Sequence, residues 1–182
     1  IGVKDVVVSS NKEVIASASK LLLPGVGAFD AGMSNLENSG LVPILNKKVI
    51  EEKTPILGIC LGMQLLTKRS EEGKKLGLGW IDAETVRFNP DPALKLKVPN
   101  MGWNYITVKR PNPLVDMESK NRFYFVHSYY VKCFDETQSL ATSNFGVDFT
   151  CMVNKENIFG AQFHPEKSLK FGMKVLENFS KI

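Results

Sequence analysis

Gly58-Ile59-Cys60-Leu61-Gly62-Met63-Gln64 sets a cysteine between two glycines, at the end of the apolar run Thr54–Ile59 and ahead of a helical pattern. A strand that turns sharply into a helix holds its central residue in a strained backbone, and glycines two before and two after let the chain pass close to itself. A thiol placed there is expected to be lifted into solvent. The helix N-terminus should lower its pKa, and the Leu61 N–H should face the position of a developing oxyanion. Read alone, the same spacing also fits an inert cysteine buried in a tight turn. The chemistry needs a base, and the chain has two histidines. His164 sits in Gln162-Phe163-His164-Pro165-Glu166, just past an apolar strand. In an extended segment residues i and i+2 share a side, so Glu166 can hold one ring nitrogen while the other faces the thiol. Cys60, His164 and Glu166 then form a nucleophilic triad. His127, in Phe125-Val126-His127-Ser128-Tyr129, has no acid nearby and reads as a packed or substrate-lining histidine.

These residues need a scaffold that brings positions 60 and 164 together. Val3–Ser10, Lys20–Leu23 and Thr54–Ile59 read as buried parallel strands. Helical patterns cover Asp30–Ser39, stopped by Gly40, then Pro43–Lys53 with proline in its first turn, and Gly62–Ser70. From Leu78 the texture becomes β: Ala83–Phe88, Tyr105–Lys109, Phe123–Cys133, Leu140–Ser143 and a hairpin over Phe149–Phe163 turning at Asn154–Asn157. Leu169–Ile182 closes the chain as a helix, with Phe171, Val175, Leu176 and Phe179 on one face. The expectation is a single domain over residues 1–182 whose site lies at the carboxyl ends of the parallel strands.

Composition excludes several classes. The 182 residues are 43% hydrophobic and 23% charged, enough for one full core. Three cysteines, an odd number without paired spacing, argue for reduced thiols. No run approaches the roughly 18 apolar residues of a membrane span, and no secretory signal is visible, so the chain reads as cytoplasmic. The net charge of +4 is dispersed, which favours no nucleic-acid partner. Lys68, Arg69, Lys74 and Lys75 are interrupted by Glu71 and Glu72 and read as a solvated helix end.

The cysteine and histidine segments resemble the two signatures of the class I, triad-type glutamine amidotransferases. Pro24-Gly25-Val26-Gly27-Ala28-Phe29, Pro99-Asn100-Met101-Gly102-Trp103-Asn104 and Phe125–Tyr129 are similar to the glutaminase subunits of imidazole glycerol phosphate synthase. The resemblance implies an α/β, flavodoxin-like three-layer domain with a central mostly parallel sheet and an added antiparallel region. It implies Cys60 as nucleophile, His164 as base and acid, and Glu166 as the group orienting the imidazole. The oxyanion hole would be the Leu61 N–H with one from Val26-Gly27. Gly27 and Gln64 would contact glutamine, with His127, Ser128 and Tyr129 close by. No metal or organic cofactor is implied, and the partner would be a (β/α)8-barrel cyclase subunit that receives ammonia for histidine biosynthesis. Pro99, Asn100, Met101, Gly102, Trp103 and Asn104 would meet that subunit, although their spacing alone fits an ordinary turn with a packed tryptophan. Two departures stand out: Asn100 replaces the usual polar residue, and the front of the family pattern, a strand and helix of roughly twenty residues, is expected to be lacking before Ile1. Lys167–Met173 also resembles paralogues that feed sugar amination in surface-polysaccharide synthesis. A cysteine hydrolase of peptides or small amides and a catalytically silent binding subunit are the competing readings.

Overall fold

A strand covered on both faces must be apolar throughout, and Ile56–Cys60 is buried at every position. The computed structural model describes residues 2–182. Its elements are α1 (Lys12–Ser17), β1 (Leu21–Gly25), α2 (Phe29–Asn38), α3 (Val42–Asn46), β2 (Ile56–Cys60), α4 (Leu61–Leu65), β3 (Ala83–Arg87), β4 (Asn100–Tyr105), β5 (Thr107–Val108), β6 (Arg122–His127), β7 (Tyr129–Cys133), β8 (Ser139–Asn144), β9 (Asp148–Lys155), β10 (Ile158–Ala161) and α5 (Leu169–Ser180). The main sheet runs β1-β2-β10-β9-β7-β3, with β8 on β9 and β5 on β8. Among the described strands, β1, β2 and β10 are the ones that pair in parallel. Gly58 is level with Leu23 on one side and Gly160 on the other, so β2 and β10 end together and carry Cys60 and the Gln162–His164 segment to the same rim. β4 and β6 form a separate antiparallel ribbon.

Side chains alternating along β2 and β10 build two cores. Ile56 and Ile158 pack with Phe29, Met33 and Leu36 of α2 and Leu65 of α4. Leu57 and Phe159 face Phe123, Phe125, Val175 and Phe179 from β6 and α5. Burying a side chain of this size contributes about 1.5–3 kcal/mol, which is what fixes helices on both faces of the parallel strands. The C-terminus of α2 is closed as the sequence implies: Gly40 has φ +65°, its N–H donates to the Glu37 carbonyl, and the Leu41 N–H donates to that of Leu36.

Several expectations are corrected. Val3–Ser10 is not a strand; Val6, Val7 and Val8 are 67%, 67% and 100% exposed, and β1 has β2 as its ladder partner. β-branched residues favour a strand only where a neighbouring strand supplies hydrogen bonds and a surface to pack on. The third parallel strand is instead the second arm of the late hairpin, β10. The helix expected over Pro43–Lys53 is α-helical only to Asn46 and then widens into a π-turn over Lys47–Glu51. The helix expected over Gly62–Ser70 stops at Leu65, because the carbonyls of Leu65, Leu66 and Thr67 accept from the N–H groups of Leu78, Ile81 and Gly79. The adjoining basic residues are therefore not a helix end; Lys68 pairs with Asp82, Arg69 with Glu84 and Lys75 with Glu37. Among the described residues no helix is long and apolar enough to cross a membrane.

Candidate active site

Cys60 joins β2 to α4 at φ +54°, ψ −112°, a conformation that turns ordinarily give to glycine and that strains a residue with a side chain. The two glycines around it are required by space. A Cβ on Gly58 would lie 2.7 Å from the Gly62 carbonyl oxygen, and one on Gly62 would run into the Leu23 carbonyl oxygen. The elbow is thus locked against its own helix and against β1. The expectation of a solvent-lifted, acidified thiol is corrected: Cys60 is 8% exposed, and burial pushes its thiol above the ordinary value. The Leu61 N–H and the Gln162 side chain pull the other way, while Glu166 adds to the rise. A five-residue helix offers little dipole against that desolvation.

His164 reaches the same rim from β10. Its N–H donates to the Tyr124 carbonyl and its own carbonyl accepts from the Ser168 hydroxyl, which in turn receives the Tyr124 N–H. The residues after it are not extended as expected. Pro165–Lys167 form a 3-10 turn that swings Glu166 back, and the Nδ1 of His164 meets Glu166 Oε1 at 2.8 Å. Nδ1 therefore carries the proton. Nε2 is buried and, among the described residues, has no hydrogen-bond partner.

A cavity of about 430 Å³ opens over these groups. It gathers Val26, Gly27, Leu61, Gln64, His127, Ser128 and Tyr129 around Cys60 and His164. Gly27 has φ +94°, and a Cβ there would meet nothing within 4 Å; Val26 is 80% exposed. Gln64 is buried, and its Nε2 donates to the Tyr129 carbonyl at 3.2 Å and to Gln162 Oε1 at 3.0 Å. His127 lines the cavity yet has no ring nitrogen free. Its Nδ1–H donates to the Tyr129 carbonyl at 2.8 Å, leaving Nε2 to accept from the Asn100 amide at 3.1 Å. Burial lowers its pKa to about 4, so it is neutral at pH 7.

Of the expected interface segment, Pro99 lines the cavity and Asn100 is buried beneath it. The rest is not a turn but strand β4, on which Met101, Trp103 and Tyr105 are exposed on one face. Gly102 has φ +133°, Arg122 lies over the Trp103 ring, and Asn104 donates to the Asn144 carbonyl. Sequence reasoning missed Glu72, Val126 and Lys167, which also line the cavity. Glu72 accepts the Phe29 N–H at 2.8 Å, from 43 residues away, while Asp30 accepts from the N–H groups of Lys74 and Lys75. The signal was the helix start at Ala28, which has no side chain able to cap it and so calls for an outside acceptor.

Residues 3–182 match the family described as glutamine amidotransferase class-I, and the chain belongs to that family. It is 56% identical over 178 residues to imidazole glycerol phosphate synthase subunit HisH 2 of Methanococcus maripaludis, covering 97% of this chain and 87% of that protein. The HisH 1 of the same organism is 44% identical over 182 residues, at the same coverage. A crystal structure of glutamine amidotransferase superposes with a TM-score of 0.71 at 20% identity, covering 95% of this chain and 83% of that one. The α/β, flavodoxin-like fold is thus that of the family.

Proposed function

We propose that this chain, acting as a single domain, hydrolyses glutamine to glutamate and passes the ammonia to the cyclase subunit of imidazole glycerol phosphate synthase in histidine biosynthesis. The observation that carries the reading is the pairing of a histidine whose Nδ1 is held by Glu166, and whose Nε2 is buried and unpartnered, with a cysteine on a sterically locked elbow in the same cavity. The HisH relatives support it further. Because burial keeps the Cys60 thiol protonated, His164 Nε2 takes that proton as Sγ attacks the side-chain carbonyl carbon of glutamine. The oxyanion is met by the Leu61 N–H and by one from Val26-Gly27. Collapse expels ammonia with the proton from His164, leaving a thioester. Water then gives its proton to His164, attacks the thioester, and releases glutamate and the thiol. Glu72, the carboxylate in the cavity wall, would receive the α-ammonium of the substrate, and Gln64 its polar backbone end.

Ammonia is protonated in water at pH 7, so a docked acceptor with a closed path is part of the proposal. The exposed Met101, Trp103 and Tyr105 face of β4 is the proposed contact for a barrel-type synthase subunit. The test uses the assembled complex. Cys60→Ala should abolish glutamine-dependent turnover and leave ammonia-dependent turnover intact; equal loss of both would contradict the assignment. A second reading keeps the glutaminase and changes the acceptor to a sugar amidotransferase. Its support is the resemblance of Lys167–Met173 to glutaminases that feed sugar amination in surface-polysaccharide synthesis. Pull-down of the synthase subunit against that of a sugar-modifying enzyme separates them.

A further inference from the structure

Behind the cavity, two buried amides run in sequence to the sulfur of Cys60. The Tyr129 carbonyl can only accept, so the Gln64 group 3.2 Å from it is the amide nitrogen. That same nitrogen donates to Gln162, whose contacting atom must then be the oxygen, at 3.0 Å. This leaves the Gln162 nitrogen facing Cys60 Sγ, at 3.8 Å, within range of an N–H donated to sulfur. The direction of every bond is fixed by the carbonyl at its start. Gln162 is fully buried and Gln64 nearly so, so water cannot replace either donor. Gln162 is also tied through its backbone N–H to the Cys151 carbonyl.

We propose that Gln162 is a positioning residue for the nucleophile, donating to Cys60 Sγ as it becomes a thiolate, with its amide held in the productive orientation by Gln64. The inference rests on reading Cys60 as the nucleophile. It gives Gln64 a second duty besides meeting substrate, and it gives Gln162 a duty distinct from the base that follows it in sequence. A buried sulfur gaining negative charge has few other sources of compensation. The Leu61 N–H and Lys167 favour the thiolate, whereas Glu166 opposes it. A donated hydrogen bond to a charged group is among the stronger neutral-donor contacts, so its loss should be readable in thiol titration.

The experiment follows alkylation of Cys60 by iodoacetamide across pH in the full chain, read at the Cys60 peptide by mass spectrometry, with thermal unfolding run alongside. Gln162→Met removes the donor at similar volume and should move the midpoint up by about one pH unit, making alkylation below it about tenfold slower. Gln162→Glu also removes the donor, sets a carboxylate against the sulfur, and should move the midpoint further. Gln64→Leu touches neither atom of the final bond, yet should shift the profile in the same direction by a smaller amount. Profiles superimposed on wild type in the folded variants overturn the proposal, and if the Gln162 variants do not fold, an unshifted Gln64→Leu does so. A shift confined to the Gln162 variants overturns the role given to Gln64. The readout needs no glutamine: a chain that shifts as expected but never hydrolyses glutamine fails the proposed function, not this one.

Discussion

The two glycine-bearing turns that leave the neighbouring strands β1 and β2 at the cavity rim are built on opposite physics. At Gly58-Cys60-Gly62 the glycines are there because nothing else fits, with backbone from α4 and β1 filling the space of any Cβ. At Val26-Gly27 the surroundings are open, Val26 is mostly solvent-facing, and only the φ of +94° asks for glycine. One turn has a single shape set by contact. The other has a conformation set by little but its own torsions, and a peptide next to glycine can reorient at small cost. In the proposed oxyanion hole the Leu61 donor is thus fixed beforehand, while the Val26-Gly27 donor is free to be set by something that docks.

Substituting the two glycines should separate these cases most sharply. Gly62→Ala forces backbone movement in a close-packed turn, and a loss of about 3 kcal/mol of stability together with loss of glutamine hydrolysis is expected. Gly27→Ala meets no clash and carries only the left-handed backbone penalty, so it should lose no more than about 1–2 kcal/mol of stability. Its hydrolysis should nevertheless drop by about 10²–10³, the effect of one missing oxyanion donor. Chemical denaturation and glutamine hydrolysis on the same samples check both, and equal stability losses would erase the distinction. If the open turn is the gated one, hydrolysis by the wild-type chain should also rise with the synthase subunit and its bound acceptor, up to that same order. Identical rates in all states, with complex formation verified separately, would remove gating and leave the triad assignment untouched.

Glu166→Gln should be milder than Cys60→Ala. It disturbs the orientation of His164 without removing a bond-making atom, and the carboxylate is half exposed, so the loss should stay below the about 10²–10⁴ of a missing general base. Rates equal to wild type would take Glu166 out of the triad.

The least effect at neutral pH, and a clear one in acid, belongs to His127 in the cavity lining. The folded pKa of His127 is lowered from 6.5 to about 4, so below 6.5 the unfolded chain binds a proton that the folded chain refuses. The stability from this residue is complete above pH 6.5 and is lost as pH falls to about 4, by about 3 kcal/mol. Denaturant midpoints measured over that window should fall for wild type and flatten in His127→Phe.

How much of this could be read from sequence follows the same division. The elbow was legible because glycines two either side of a cysteine have one steric explanation, and Gly40 because a helix end has a local one. His164 and Glu166 do meet, but a turn brings them together where the sequence alone predicts an extended segment. Val3–Ser10 misled because its valines carry a propensity that only a neighbouring strand can realise. The short α4 was hidden because the groups that end it lie at Leu78–Ile81, and Glu72 because its partner is at Phe29. The thiol pKa was not legible because the helix terminus is a local feature, whereas the burial that raises the pKa of Cys60 appears only on packing.

The most direct test of the proposed triad is to treat the full chain with an electrophilic glutamine analogue and map the adduct by mass spectrometry, with and without excess glutamine and in His164→Asn. The expected result is one adduct on Cys60, suppressed by glutamine and strongly slowed without the imidazole. Modification at Cys133 or Cys151, or labelling of Cys60 indifferent to both glutamine and His164, would contradict it.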